Sequence, residues 1–177
     1  MYEHGALEGI REAYVRLLAS AKREEVVQKF MEKNPVLLHQ FPAERLFVKP
    51  AILTLFSADF AVLTPMRELV LIELERPDTP LMRKNGDVAA PLNHALDQVR
   101  NWLQVVDDHR LAALDCLGIE KEQVSAVRGV VIAGRDVGHD AKQLRKLKGV
   151  DWGRISFLTY DDILFSLDAL IRRLDAI

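Results

Sequence analysis

The chain has 177 residues, of which 49% are hydrophobic and 28% charged, the size and composition of one soluble globular domain. A net charge of −2 excludes a protein that binds polyanions through bulk positive charge. No apolar run approaches the roughly 18–20 residues that a membrane-spanning helix needs, and the N-terminus does not resemble a signal peptide. The single cysteine, Cys116, cannot form an internal disulfide. We therefore expect a cytoplasmic protein without membrane contact, with this thiol in its core.

The N-terminal part of the chain has two kinds of pattern. Residues 1–40 carry apolar side chains at helical spacing, and the helical pattern ends at Asn34-Pro35, since a residue before proline avoids the helical conformation. Residues 45–75 instead contain short apolar runs rich in Val, Ile and Phe, which predict an antiparallel β-meander. The runs are Leu46–Val48, Ile52–Phe56, Ala58–Leu63 and Glu68–Glu75.

The rest of the chain alternates helical and strand patterns. Residues 76–90 are polar and include a predicted turn at Asn85-Gly86-Asp87. The elements predicted after them are a helix at 91–109, a strand at 127–133, a basic helix at 140–148, a strand at 155–159 and a helix at 161–177. The sequence thus predicts one α/β domain over residues 1–177, with helices in 1–40 and a core in 45–177 built on one mixed sheet.

An apolar strand that ends in two carboxylates is the most informative feature. Glu73 and Glu75 close this strand just before Pro77, and alternation places both side chains on one face with Cβ atoms roughly 6.5–7 Å apart. A hairpin register that pairs Asp59 with Glu73 would bring those Cβ atoms to about 4.5–5.5 Å. Such hard oxygen ligands suit Mg²⁺ or Mn²⁺. Surface salt bridges are the alternative role for Asp59 and Glu73.

Six short segments occur in a fixed order along the chain. They are Glu32–Leu38, Ser57–Phe60, Leu71–Pro77, Ala95–Val99 with Trp102, Val130–Arg135 and Leu158–Leu164. In this order they resemble the Shedu-type defence nucleases of the PD-(D/E)xK nuclease superfamily. The resemblance implies a restriction-endonuclease-like fold with a mixed central sheet flanked by helices. It also implies a metal-dependent nuclease, most simply an endonuclease that cleaves DNA in bacterial anti-phage defence.

The resemblance also implies roles for single side chains. Asp59 and Glu73 would bind Mg²⁺ or Mn²⁺, with Glu32 reaching the metal from an N-terminal helix. Gln98 would orient water or phosphate beside the metal. From the pattern alone, Glu32 and Gln98 can equally be solvent-exposed helix residues with no role in a site. The family usually has Glu-x-Lys where this chain ends in Glu75, and a glutamate there suits a general base or an additional metal ligand.

Positive charge is concentrated in the C-terminal third of the chain. Five basic side chains are candidates for contact with a nucleic-acid backbone: Arg128, Arg135, Lys142, Arg145 and Lys146. The last three share a helix face by their i, i+3, i+4 spacing. A charged run of this kind is also typical of a plain solvated face.

The sequence therefore predicts a metal-dependent nuclease that acts on DNA and assembles as a homo-oligomer, as the resemblance implies. Two alternatives remain open. The first is a catalytically silent module of the same fold that binds nucleic acid or serves in assembly, since the usual lysine is Glu75 here. The second is a metal-dependent hydrolase with another substrate.

Overall fold

A computed structural model describes residues 4–176 as a five-stranded mixed sheet with helices against both faces. The helices are α1 (His4–Ser20), α2 (Glu24–Lys33), α3 (Ala90–Asp108), α4 (Arg110–Cys116), α5 (Ala141–Lys148) and α6 (Tyr160–Asp175), with 3-10 turns at Pro35–Leu38 and Lys121–Gln123. The strands are β1 (Arg45–Val48), β2 (Ala51–Ile52), β3 (Phe56–Ser57), β4 (Phe60–Leu63), β5 (Glu68–Leu74), β6 (Ala126–Ile132) and β7 (Ile155–Leu158).

The sheet has the strand order β1-β4-β5-β6-β7, and β2 and β3 form a separate small hairpin. Strands β1, β4 and β5 are antiparallel and are joined by short connections, whereas β5, β6 and β7 are parallel. Parallel neighbours need a crossover connection, which α3 and α4 supply between β5 and β6 and α5 supplies between β6 and β7. The predicted mixed sheet is confirmed.

Strand β5 lies at the centre and is buried on both faces. Leu69 and Leu71 pack into the core formed with α3, α4 and α5, while Val70 and Ile72 pack into the core formed with α1, α2 and α6. Two-sided burial explains the almost unbroken apolar run in the sequence. Because Glu73 follows Leu71 by two residues, its side chain lies on the α3 face of the strand.

Helix α3 packs very closely on β6. Gly129 lies beneath Val99, and a Cβ atom at position 129 would clash with the Val99 side chain. The absence of a side chain at this point lets the helix backbone approach the sheet. This packing also fixes the height of Gln98, the residue before Val99, above the end of β5.

Three details differ from the sequence-based expectation. The run Ile52–Phe56 is a tight hairpin rather than one strand of the sheet, because Leu53 and Thr54 adopt positive φ angles of 56° and 58° at its turn. Helix α4 was not predicted. Cys116, at its end, is exposed, so the prediction of a core thiol was wrong.

The other helices and strands match the predicted order closely. Helix α2 ends at Lys33, just before Asn34-Pro35, as the proline predicts. The predicted end of the last helix, Ile177, lies outside the described residues. Within residues 4–176, no helix combines the length and apolar character needed to cross a membrane.

Candidate active site

The pairing of β4 with β5 brings Asp59 and Glu73 together. Phe60, the first residue of β4, is the partner of Ile72, and Asp59 precedes it in a bend next to the end of β5. The Asp59 amide donates a 3.1 Å hydrogen bond to the Ile72 carbonyl, so Asp59 and Phe60 both lie against Ile72. The two carboxyl groups lie close enough for each to influence the pKa of the other. The pairs from Phe60–Ile72 to Leu63–Leu69 follow the predicted register, and Asp59 lies just outside them.

Each of these two carboxyl groups is held by a further donor. The backbone N–H of Leu74 donates to Asp59 Oδ2 at 2.8 Å. Gln98 Nε2 donates to Glu73 Oε1 at 2.7 Å from helix α3. Gln98 is therefore part of the site and is not simply a solvent-exposed helix residue.

Glu75 lies at the end of the same strand face. Its N–H donates to the Ile132 carbonyl at 2.9 Å, and its carbonyl accepts a 2.5 Å hydrogen bond from the Tyr160 hydroxyl. These bonds fix the Glu75 backbone between β6 and α6. The Glu75 carboxyl is half-buried, and burial raises its pKa against the opposing charge of Arg76.

The sequence did not indicate a fourth acidic residue, Glu24. It lies in the first turn of α2 and interacts electrostatically with Asp59, Glu73 and Glu75. We call these four residues the acidic cluster. Glu32, the helix residue predicted to reach a metal, lies eight residues further along α2, about 12 Å along the helix axis. The structure therefore brings Glu24, and not Glu32, to the cluster.

The acidic cluster is strongly perturbed because its carboxyl groups are close together and partly buried. Burial, followed by the charges of Asp59, Glu24 and Glu75, raises the pKa of Glu73 to about 9. Burial and the charges of Asp59 and Glu75 raise the pKa of Glu24 to about 7. Burial also raises the pKa of Asp59, against the opposing effects of the Leu74 N–H and Lys49. Without a cation, Glu73 therefore keeps its proton at neutral pH and can donate it to Asp59.

The donor set fits a hard divalent cation in part. In the part of the chain described here, no three His, Cys, Asp or Glu side chains are already arranged around a metal position. However, Mg²⁺ typically takes one or two carboxylates and completes its shell with water and substrate phosphate. The neighbouring carboxyl groups of Asp59 and Glu73 supply that number, and a cation would offset the burial and the nearby negative charges that raise their pKa values.

A match to a protein-family model identifies the kind of domain that carries the acidic cluster. A family model described as "Shedu protein SduA, C-terminal" matches residues 21–164, well over half of the chain. The chain belongs to this Shedu family. The matched segment includes all four acidic residues and Gln98, and membership implies a role in anti-phage defence. No curated protein matches the chain significantly.

Two of the predicted nucleic-acid contacts, Arg128 and Arg135, form salt bridges within the Shedu domain. Arg128 lies about 10 Å along β6 from the level of Glu73 and on the other face, where its Nε is 3.2 Å from Glu68 Oε2. Arg135 donates to Asp161 through both Nε and Nη2, at 3.0 and 2.8 Å, with only 24% of its side chain exposed. Both arginines are thus paired with carboxylates, and their role as nucleic-acid contacts stays a prediction.

The other three basic residues lie on one exposed side of the Shedu domain. Lys142, Arg145 and Lys146 are exposed on α5, which packs on the same sheet face as α3. A neighbouring turn at 82–88 adds the exposed side chains of Arg83 and Lys84, and a cleft lined by Gly86, Gln143 and Lys146 separates the turn from the helix. Their role as nucleic-acid contacts stays a prediction, and Arg83 and Lys84 were not part of it.

Proposed function

We propose that this Shedu domain is a metal-dependent nuclease that hydrolyses phosphodiester bonds in DNA, on a PD-(D/E)xK restriction-endonuclease-like fold. The observation that carries the proposal is the meeting of two carboxyl groups at the end of a buried strand, where the Leu74 N–H binds Asp59 and Gln98 binds Glu73. A buried acidic pair of this kind is costly for the fold and therefore marks a functional site.

Asp59 and Glu73 would hold Mg²⁺ or Mn²⁺, and the negative charge of Glu24 on α2 would add to the attraction of the site for a cation. Such a cation would neutralise phosphate charge and activate water for in-line attack. The Gln98 amide keeps one Glu73 oxygen in a fixed orientation, so the other oxygen is the one left for the metal. The N–H of Leu74 fixes Asp59 in the same way.

Glu75 is the candidate general base. Its carboxyl lies on the same strand face as Glu73, and burial raises its pKa towards the range in which a carboxylate accepts a proton efficiently. Substituting Glu75→Gln removes the base while keeping the shape of the side chain. We expect a loss of cleavage of about 10²–10⁴-fold, measured as a single-turnover rate.

Binding of the DNA backbone is assigned to the exposed basic side of α5. Lys142, Arg145 and Lys146 lie on the sheet face that carries the Glu73 side chain, so we expect a duplex held there to reach Glu73. Phosphate contacts of this kind position a duplex without reading its sequence. Removing one of these charges should weaken binding to all sequences equally and lower its salt dependence.

A catalytically silent module of the same fold is the second candidate. It is favoured by the glutamate at position 75, where a lysine would stabilise the charge that develops on the phosphate. In this case, the cluster would contribute to binding or assembly and would not cleave DNA.

A cleavage assay distinguishes the two candidates. Plasmid, linear duplex, single-stranded DNA and RNA are incubated with the purified protein in Mg²⁺, Mn²⁺ or chelator. The nuclease proposal predicts metal-dependent cleavage of DNA that is lost in Asp59→Asn and kept in Asp115→Asn, an exposed control on α4. A folded wild-type protein that cleaves none of the four substrates with either metal would support the silent module.

A further inference from the structure

Lys49 occupies the strand position next to the acidic pair. Val48, the last residue of β1, is the partner of Phe60, so the following residue, Lys49, lies opposite Asp59. The Lys49 N–H donates a 2.9 Å hydrogen bond to the Asp59 carbonyl. Lys49, Asp59 and Glu73 therefore lie at one level across three adjacent strands, and β1 is two strand spacings, about 10 Å, from β5.

The backbone at Lys49 has an unusual conformation. Its φ angle is +47°, which is uncommon for a residue with a side chain and costs of order 1 kcal/mol. The hydrogen bond to Asp59 and the buried Pro50 that follows hold the chain in this conformation. The position of Lys49 is thus fixed by the same strand end that fixes Asp59.

The Lys49 ammonium is close to the acidic cluster but forms no salt bridge with its four carboxylates. Its charge lowers the pKa of both Asp59 and Glu24. The side chain is exposed, and no carboxylate in residues 4–176 lies within 4 Å of its nitrogen. By contrast, Arg76, which follows Glu75 directly, is 3.6 Å from Asp78.

We propose that Lys49 contacts the scissile phosphate and supplies from the edge strand the positive charge that Glu75 cannot supply. This inference rests on the proposed nuclease function and adds a catalytic residue to it. In the reaction, the water oxygen bonds to phosphorus, Glu75 takes the water proton, and the ester bond to the leaving oxygen breaks. The leaving oxygen takes a proton from solvent. The ammonium of Lys49 stabilises the negative charge that builds up on the phosphate oxygens.

The experiment compares Lys49→Gln, Lys49→Arg and a matched control, Lys121→Gln, with the wild-type protein. Lys121 is exposed in the turn that precedes β6, at the opposite end of the sheet from the cluster. Single-turnover cleavage of a duplex in saturating Mg²⁺ and calorimetric titration of the free protein with Mn²⁺ are measured for each variant.

The proposal predicts that Lys49→Gln cleaves about 10²–10³-fold more slowly, the usual effect of losing one preorganised donor to a developing anion. Mn²⁺ binding should be unchanged or tighter, because a like charge has been removed beside the site. Lys49→Arg should keep much of the activity, and Lys121→Gln should match the wild type.

Three results would overturn the inference while leaving the nuclease function standing. They are cleavage by Lys49→Gln within threefold of the wild type, loss of Mn²⁺ binding together with cleavage, and Lys49→Arg as slow as Lys49→Gln. Loss of Mn²⁺ binding would mean that Lys49 only supports the position of Asp59. A wild-type protein that binds Mn²⁺ but cleaves no DNA would instead reject the proposed function, and the role of Lys49 with it.

Discussion

Gln98 Nε2 lies 2.7 Å from Glu73 Oε1, and this hydrogen bond joins helix α3 to the acidic end of β5. It links a residue fixed by close helix-sheet packing at Gly129 to a carboxyl group whose environment favours its protonated form. The amide can remain bound while Glu73 exchanges its proton for a cation. Four predictions follow from this arrangement and from the packing that supports it.

Mn²⁺ affinity should rise steeply with pH. Glu73, with a pKa of about 9, and Glu24, with a pKa of about 7, must lose their protons before their oxygens can bind a cation. Titration calorimetry between pH 6 and 9 should show tighter binding at higher pH. Repeating it in buffers of different ionisation enthalpy should show the release of about 1.5 protons per Mn²⁺ at pH 7, since Glu73 is then fully protonated and Glu24 half protonated. Binding that does not change over this range would contradict the proposed ligands.

Glu73→Gln should stabilise the metal-free protein at alkaline pH. The folded pKa of about 9 exceeds the unfolded value of 4.5, so between these values the folded protein keeps a proton that the unfolded chain has lost. The contribution of Glu73 to stability is therefore present at low pH and is lost as the pH rises towards 9.

The glutamine variant lacks this titration, so its advantage over the wild type should grow with pH. We expect it to reach about 1–3 kcal/mol near pH 9, measured by urea unfolding at pH 5, 7 and 9. Glu122→Gln, on an exposed turn, is the control and should follow the wild-type pH profile. A constant difference between Glu73→Gln and the wild type at all three pH values would show that Glu73 is not perturbed.

Gln98→Ala should weaken the site without unfolding the protein. The substitution removes the donor that orients Glu73, and loss of such an outer hydrogen bond costs about 10–100-fold in metal affinity or activity. Mn²⁺ titration and cleavage rate check this effect. Gln104→Ala, on the same helix, loses only an exposed hydrogen bond to Asp108 and is the matched control. Equal Mn²⁺ affinity in both variants would remove Gln98 from the site.

Gly129→Ala should destabilise the fold, because its Cβ would clash with Val99 and push α3 away from β6. Overpacking of this kind costs about 1–3 kcal/mol. Urea unfolding of the variant, with and without Val99→Ala to make room, checks the cause. Gly9→Ala on α1, where a Cβ meets open space, is the control. Unchanged stability in Gly129→Ala would show that the helix does not approach as closely as described.

The acidic pair was predictable because alternation along a strand is strict. In a hairpin of β4 and β5, a register that pairs Asp59 with Glu73 puts both side chains on one face, and a slip of one residue would separate them. Glu24 was not predictable in the same way. Acidic residues in the first turn of a helix are common, since they interact favourably with its dipole, so Glu24 carried no special signal.

The basic residues show a second limit of the sequence. Arg128 pairs with Glu68, 60 residues earlier, and Arg135 pairs with Asp161, 26 residues later. Partners so far along the chain are set by the sheet order and cannot be read from local spacing. The exposed face of α5 was predictable, because helical spacing alone places Lys142, Arg145 and Lys146 together.

The most direct test of the central claim is the single-turnover cleavage rate of a labelled DNA duplex as a function of Mg²⁺ concentration. The wild-type protein should show no cleavage in chelator and a rate that rises to saturation with Mg²⁺. Asp59→Asn, which keeps the side-chain shape but removes the charge, should lose at least about 10²-fold in rate at every concentration. Cleavage by the wild type in the absence of any divalent cation, or equal rates for the wild type and Asp59→Asn, would contradict a metal-dependent site at Asp59 and Glu73.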